Sequence, residues 1–175
     1  MRLREHLIIG GAGAVFLYFY PVTHLMSNGV NWGFWRVLLF FAATVLIDAD
    51  HYWDYLWRSK FADWSGWRMF RYYDLIEERG NKKNFYAFSL LHTAEILGGV
   101  YLLAYYWSSA VFMPVLWGMV FHLFLDTIYF ARRRHLFIRA YSIIEYWVRK
   151  PRLIRQGIDS DAFCREMFEK SKRPV

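Results

Sequence analysis

Four long apolar stretches constrain this 175-residue chain more than any other feature. Residues 7–26 and 37–47 contain no acidic side chain and no Lys or Arg, and residues 84–107 and 108–131 contain one acid each. Stretches of about 20 residues with so few charges match the hydrocarbon thickness of a bilayer, whereas a helix of a soluble domain needs only an apolar stripe. We therefore predict an all-α integral membrane four-helix bundle, with spans near residues 6–26, 32–57, 85–107 and 110–131.

The basic residues sort to alternate connections between these spans. Residues 58–83 contain seven of the 22 Lys and Arg residues and the segment after the fourth span contains twelve, whereas 27–31 and 108–109 contain none. Because short cytoplasmic loops are enriched in Lys and Arg, both termini are predicted to lie in the cytoplasm. The net charge of +7 then indicates anionic lipid headgroups as partners, not nucleic acid.

A single cysteine, Cys164, excludes an internal disulfide and a thiolate metal cluster.

The predicted organisation is a transmembrane domain at residues 1–131 followed by a basic cytoplasmic amphipathic tail at 132–175. Within the first, residues 58–84 form a cytoplasmic segment in which Trp and Phe mix with Arg, as in helices that lie at lipid headgroups. Cap and breaker residues place three such cytoplasmic helices. They are 61–79, ended by Gly80 and Asn81; 136–149, ended by Pro151; and 159–170, capped by Asp159 or Ser160.

Ionisable side chains inside the predicted spans are few, and each costs about 3 kcal/mol to insert. The only Lys or Arg among them, Arg36, lies near a helix end, where its side chain can reach the interface. Carboxylates and imidazoles without a cationic neighbour are the residue types that bind a metal ion. These residues are His6, Asp48, Asp50, His51, Asp54, His92, Glu95, His122 and Asp126.

Their spacing predicts one shared site. His122 and Asp126 are four residues apart, and His92 and Glu95 are three apart, so each pair is expected to share a helix face. At a rise of about 1.5 Å per residue, the acids and imidazoles of separate spans fall at one depth in the inner leaflet. We therefore expect them to meet at one spot and share a cation.

Simpler interpretations apply to single members of this set. One intramembrane His can serve as a structural hydrogen-bonding residue, and Asp54 fits a solvated acid at a helix end. His24, near the outer loop, and His135, among arginines, are expected at the surface.

The pattern resembles the membrane-bound metal-dependent hydrolases, the YdjM-like family of prokaryotic membranes, over roughly residues 1–131. The order of the motifs along the chain matches that family. The matching residues are His6 at the start of the first helix, Asp48-Ala49-Asp50-His51 at the end of the second, His92-Thr93 opening the third, and His122 with Asp126 in the fourth.

The chain departs from that family in two of these motifs. Ile47 stands where a Pro commonly precedes the Asp-x-Asp-His element. In the extended His-Arg-Gly-x-Thr-His-Ser stretch, the first His would fall on Ala87, the Arg-Gly is missing, and Thr93 replaces the Ser. Glu95 is then a candidate substitute ligand.

The resemblance implies a metal-dependent hydrolase at the cytoplasmic face of a prokaryotic cytoplasmic membrane, acting on a lipid or a phosphoester. Asp50 or Glu95 would act as a general base, or would orient a ligating His. Mixed imidazole and carboxylate ligation favours Zn²⁺, Mn²⁺ or Fe²⁺ over Ca²⁺ or Mg²⁺. The expected ligands to one or two ions are His6, Asp48, His51, His92, His122 and Asp126. A basic rim of Arg71, Lys82, Lys83 and residues 132–134 would attract an anionic headgroup.

Two other functions fit the same residues. In a non-catalytic membrane protein, the polar residues would form an interhelical hydrogen-bond network, and the basic tail would bind a cytoplasmic partner. An ion or proton carrier would need polar residues through the whole bilayer depth, and the outer halves of the four spans offer almost none. A PAP2-type phosphatase is disfavoured because the chain lacks the Ser-Gly-His element.

Overall fold

The computed structural model of the protein describes residues 3–19, 33–80, 85–133 and 138–172, with side chains from residue 8 onward. Within these ranges the chain forms α-helices, a 3₁₀ turn at Leu90–His92 and an isolated parallel β-bridge between Ala87 and Arg139. The predicted all-α class is confirmed. The helices are α1 Leu3–Phe19, α2 Phe34–Leu46, α3 Ala49–Arg58, α4 Gly66–Arg79, α5 Ala94–Tyr106, α6 Ser109–Arg132, α7 Ile143–Arg155 and α8 Ser160–Ser171.

The chain divides into two compact units, each built from two separate segments. Unit 1 comprises Met1–Asp48 and Ala94–Arg132, and unit 2 comprises Ala49–Thr93 and Arg133–Val175. Unit 2 contains 18 of the 22 Lys and Arg residues and 11 of the 15 acids. Unit 1 therefore carries no net charge, and the entire +7 belongs to unit 2.

Unit 1 consists of four apolar helices: α1 packs against α2, and both α2 and α5 pack against α6. The contact between α2 and α6 depends on Gly118, because a Cβ there would lie 2.3 Å from the Phe40 carbonyl oxygen. Thr44 is fully buried at the same contact, with its hydroxyl 2.9 Å from the Phe40 carbonyl oxygen and 3.2 Å from that of Gly118. Close backbone approach through small residues is a common way for apolar helices to associate.

The helix α6, at 24 residues, is long and apolar enough to cross a bilayer, and it is the only such helix in the described part of the chain. It matches the predicted fourth span at 110–131. The apolar segment Ile8–Phe19 is shorter, and α2 and α5 have 13 residues each, fewer than the about 20 that a span needs. The four-span topology stays a prediction.

Unit 2 has a core of aromatic and sulfur-containing side chains. The helix α4 packs against α8 and also contacts α3. The buried members of this core are Tyr55, Tyr72, Ile76, Cys164, Met167 and Phe168. Because α8 supplies half of them, the carboxyl-terminal segment is an integral part of unit 2.

The three helices predicted for the cytoplasmic side agree with the structure to different extents. The first, predicted over 61–79, begins later, at Gly66 after its N-cap Ser65, and ends at Gly80 as predicted, while Asn81 lies outside the described residues. The last helix begins after Asp159, whose carboxylate accepts hydrogen bonds from the N–H groups of residues 161 and 162. The prediction for 136–149 was wrong at both ends, because α7 begins at Ile143 and continues through Pro151.

Two predicted spans are interrupted. The second, 32–57, breaks at a turn formed by Ile47 and Asp48, so that α2 and α3 are separate helices. The third, 85–107, becomes helical only at Ala94, because Ala87 exchanges backbone hydrogen bonds with residues 138 and 140. His92 and Glu95 therefore do not share one helix, contrary to the prediction.

Candidate metal sites

His122 is the best-defined candidate ligand in unit 1. It lies on α6, its side chain is fully buried, and its Nδ1 atom lies 2.8 Å from the Thr44 carbonyl oxygen. A carbonyl can only accept a hydrogen bond, so Nδ1 carries the hydrogen in this contact. The Nε2 atom lies on the opposite side of the ring, where a neutral imidazole carries its lone pair.

Two carboxylates face that Nε2 atom. Asp48 Oδ1 lies 3.4 Å from it and Asp126 Oδ2 lies 3.6 Å from it. Both separations exceed the about 3.2 Å upper limit of an ordinary N–H···O hydrogen bond. They match the about 3.3–3.6 Å between two ligand atoms around a tetrahedral cation with bonds of about 2.0–2.2 Å. Each His–Asp separation thus suits two ligands of one ion, and each also lies within the range of an ion pair.

Local structure explains how these side chains come together. His122 and Asp126 lie one turn apart on α6, on the buried face that includes Gly118. Asp48 follows the carboxyl end of α2, the helix that packs against that face. The close approach at Gly118 brings the Thr44 carbonyl within reach of the imidazole.

Unit 2 contains a second group, centred on His92. The Nδ1 atom of His92 lies 3.1 Å from Asp50 Oδ2, which also accepts a hydrogen bond of 3.1 Å from the Leu91 N–H. Asp50 occupies the first turn of α3, where the helix dipole favours a negative side chain. A carboxylate bonded to one ring nitrogen is the usual way in which a protein orients a ligating His.

His51 adds another imidazole to this group. Its ring stacks on that of His92 with centroids 5.5 Å apart, and the candidate ligand nitrogens of the two rings lie within 4.8 Å of each other. Its Nδ1 lies 3.5 Å from Asp50 Oδ1, a buried oxygen that accepts no hydrogen bond from the described residues. Tyr73 fixes the position by donating a hydrogen bond of 2.9 Å to the His51 carbonyl.

The remaining predicted residues fall elsewhere. The side chain of His6 lies outside the described part of the structure, as do His24, Lys82, Lys83, Arg134 and His135. Glu95 lies half-buried in the first turn of α5, and the groups of possible ligands among the described residues do not include it. Asp54 forms an ion pair of 2.8 Å with Arg58 and accepts a hydrogen bond from Tyr73.

Within each unit the structure brings predicted acids close to a histidine, and we name each set of residues after its unit. Asp48, His122 and Asp126 form the unit 1 group, and Asp50, His51 and His92 form the unit 2 group. Sequence reasoning missed the Thr44 carbonyl, which fixes His122. The available signal was a single Thr in an apolar run, four residues before Asp48.

No protein-family model, curated protein or solved structure matches this chain. The resemblance to the membrane-bound metal-dependent hydrolases therefore depends on the motif residues alone.

Proposed function

We propose that this protein binds a divalent metal ion through His122, Asp48 and Asp126 and is a metal-dependent hydrolase of the cytoplasmic membrane leaflet. One observation supports this most: the imidazole is fixed through Nδ1 while its Nε2 atom faces two carboxylates. Two carboxylates that face one ring nitrogen need a positive charge there, from a metal ion or from a proton on Nε2, and the separations of 3.4 and 3.6 Å suit the metal ion.

Charge balance supports a divalent ion in the unit 1 group. Buried Asp126 and partly buried Asp48 together carry a charge of −2, and a cation of charge +2 neutralises them, so the group avoids the cost of burying unpaired charge. An imidazole with two carboxylates suits Zn²⁺, Mn²⁺ or Fe²⁺ better than Ca²⁺ or Mg²⁺, which prefer oxygen ligands.

The unit 2 group supplies a second ligand set of similar construction. Asp50 orients His92 through Nδ1, which leaves its Nε2 as a ligand, and His51 adds another nitrogen. The Oδ1 atom of Asp50, which accepts no hydrogen bond from the described residues, is our preferred proton acceptor. Glu95 remains the alternative base.

A metal ion of this kind, when bound, lowers the pKa of a coordinated water and polarises the electrophilic oxygen of a substrate. The residues of the chain orient the ligating histidines and attract the substrate. The Thr44 carbonyl holds His122 in one tautomer, and Asp50 holds His92. Exposed Arg132 adds positive charge that favours an anionic lipid headgroup or phosphoester as substrate.

We place the protein in a prokaryotic cytoplasmic membrane with four spans and both termini inside. The length and composition of α6, the absence of net charge in unit 1 and the +7 of unit 2 support this topology. Lipids are then its immediate partners.

A non-catalytic role is the second candidate, and Ala87 favours it. This residue stands where the related hydrolases carry a His, and its backbone forms the β-bridge to Arg139. In that case the two His–Asp groups would be structural hydrogen-bond networks, and the basic tail would bind a cytoplasmic partner.

Metal analysis of the purified full-length protein in detergent separates the two candidates. We expect about one equivalent or more of Zn, Mn or Fe in the parent protein and a loss of metal in His122→Ala and Asp48→Ala. Asp74→Ala, at an exposed acid on α4, is the matched control and should keep the metal. Unchanged metal content in both site variants would remove the proposal.

A further inference from the structure

The corner between α3 and α4 has an unusual backbone. The helix α3 ends with the paired hydrogen bonds of a Schellman motif, from Phe61 N–H to the Leu56 carbonyl (2.8 Å) and from Lys60 N–H to the Trp57 carbonyl (3.0 Å). Glycine ordinarily occupies the left-handed position of such a motif. Here Lys60 and Phe61 both adopt positive φ, 53° and 59°. Such backbone strain costs free energy at each residue, so we infer that the side chains of these two residues have a role.

The strained backbone places the Phe61 ring at the centre of an aromatic cluster. Its centroid lies 5.7 Å from that of Trp53, 6.3 Å from that of Trp57 and 6.3 Å from that of Trp64. We call these four residues, together with Trp67, the aromatic corner. The indoles remain largely exposed, from 61% for Trp53 to 80% for Trp67.

Hydrogen bonds and an ion pair stabilise the backbone and the Trp64 indole of the aromatic corner. The Trp64 indole N–H donates to the Phe61 carbonyl, and the Tyr52 hydroxyl donates to the Trp64 carbonyl, both at 2.9 Å. Asp63 forms an ion pair of 2.9 Å with Arg68. The corner is therefore preformed and presents ring surfaces outward, which is the arrangement of a docking surface.

Charge and residue type identify the partner. Trp is enriched where proteins meet the lipid headgroups, since its ring is apolar and its N–H is polar. The surrounding unit 2 carries the whole +7 of the chain, which attracts anionic lipid. A second copy of the chain would bring the same positive charge to the same face, and like charges oppose such pairing.

We propose that the aromatic corner inserts into the headgroup–acyl boundary of an anionic bilayer and anchors unit 2 there. Phe61 gathers the indoles, and exposed Lys60 lies beside the lipid phosphates. This anchoring requires no metal, so it stands or falls independently of the proposed hydrolase function.

The test uses full-length protein in nanodiscs of phosphatidylglycerol and phosphatidylcholine, labelled at Trp67→Cys with an environment-sensitive fluorophore. Glu169→Cys, at an exposed position on α8, is the control site, and the parent chain gives the background from buried Cys164. We expect a spin label near the lipid carbonyls to quench the label at 67 severalfold more than aqueous iodide does. The label at 169 should show the reverse.

Two further variants connect the signal to the backbone of the corner. Phe61→Gly keeps the left-handed conformation but removes the central ring, so iodide access to the label at 67 should rise severalfold. Lys60→Gly relieves the strain but keeps the ring, so it should leave lipid quenching in place. Equal iodide access at 67 and 169 would overturn the proposal. Shielding of the label at 67 from both quenchers would also overturn it, because a protein would then cover the corner.

Discussion

The two units hold a histidine in similar ways but with different partners. In unit 1, which has no net charge, the Nδ1 atom of His122 bonds to a neutral carbonyl, and the carboxylates face Nε2. In unit 2, which carries the +7, the Nδ1 atom of His92 bonds to the Asp50 carboxylate. The unit 1 group therefore concentrates negative charge where a cation would lie. In the unit 2 group, the negative charge of Asp50 lies at Nδ1, on the side of the His92 ring away from Nε2. There it makes Nε2 a stronger donor to a metal.

Replacing His122 should have the largest effect. His122→Ala removes a ligand outright, so we expect metal affinity of the unit 1 group to fall by more than the about 10–100-fold that the loss of an outer partner costs. Calorimetric titration with Zn²⁺ measures this, and circular dichroism confirms that the variant is folded. If the variant folds and binds Zn²⁺ like the parent, His122 has only a structural role.

Asp50→Asn tests the opposite arrangement in unit 2. The amide keeps the shape of the carboxylate but loses its charge, so His92 should bind metal about 10–100-fold more weakly. The matched change in unit 1 is Thr44→Val, which removes a hydroxyl but keeps the carbonyl that fixes His122. This control should leave metal affinity unchanged. Equal effects of the two substitutions would contradict the distinction between the two groups.

Gly118→Ala tests whether unit 1 depends on close backbone approach. An added Cβ would lie 2.3 Å from the Phe40 carbonyl oxygen, so α2 and α6 must separate. We expect a loss of about 1–3 kcal/mol in the free energy of unfolding, as for other overpacked sites. A Cβ at Gly98 on α5 meets nothing within 4 Å, so Gly98→Ala should stabilise by about 0.5–1 kcal/mol instead. Thermal unfolding in detergent measures both, and equal shifts would count against the packing argument.

Lowering the pH should reduce the stability of unit 2 by a smaller amount, because the Glu145 carboxylate becomes protonated. Burial tends to raise the pKa of its carboxyl, but bonds from the Tyr141 N–H, Arg149 and Tyr86 hold that pKa below the ordinary value of 4.5. The stabilisation is therefore complete above that value and is lost as the pH falls through the lower, folded-state pKa.

Glu145→Gln should cost about 1 kcal/mol of unfolding free energy at neutral pH and flatten the acid side of the stability profile. To measure this effect, the amide hydrogen-exchange rates of α7 are compared with those of α6 between pH 3 and neutrality. Equal acid sensitivity of parent and variant would assign the pH dependence to other groups.

Local patterns predicted the elements whose boundaries depend on nearby residues. The apolar run of α6, the helix end at Gly80 and the cap at Asp159 act within one or two turns, and all appear in the structure. Pro151 is the exception, because α7 continues through it. Backbone hydrogen bonds beyond the proline close the last turn of α7, from the Gln156 N–H to the Arg152 and Leu153 carbonyls.

The break in the second span could not be predicted locally. A continued helix would bond the Asp48 N–H to the Thr44 carbonyl, but that carbonyl accepts from His122, 78 residues away, and the Asp48 N–H bonds to Val45. The residue types of a metal site were evident from sequence. The positions of Asp48 and His92 depend on this break and on the bridge at Ala87, and both of these features involve long-range contacts.

The central claim is that His122 carries its hydrogen on Nδ1 and offers Nε2 to a metal ion. Nitrogen-15 NMR of ring-labelled histidine in the full-length protein tests this directly, with His122→Asn used to assign the signal. We predict a protonated Nδ1 at neutral pH and a shift of the Nε2 resonance to that of a metal-bound nitrogen when Zn²⁺ is added. A proton on Nε2 that persists in the presence of excess Zn²⁺ would contradict the account.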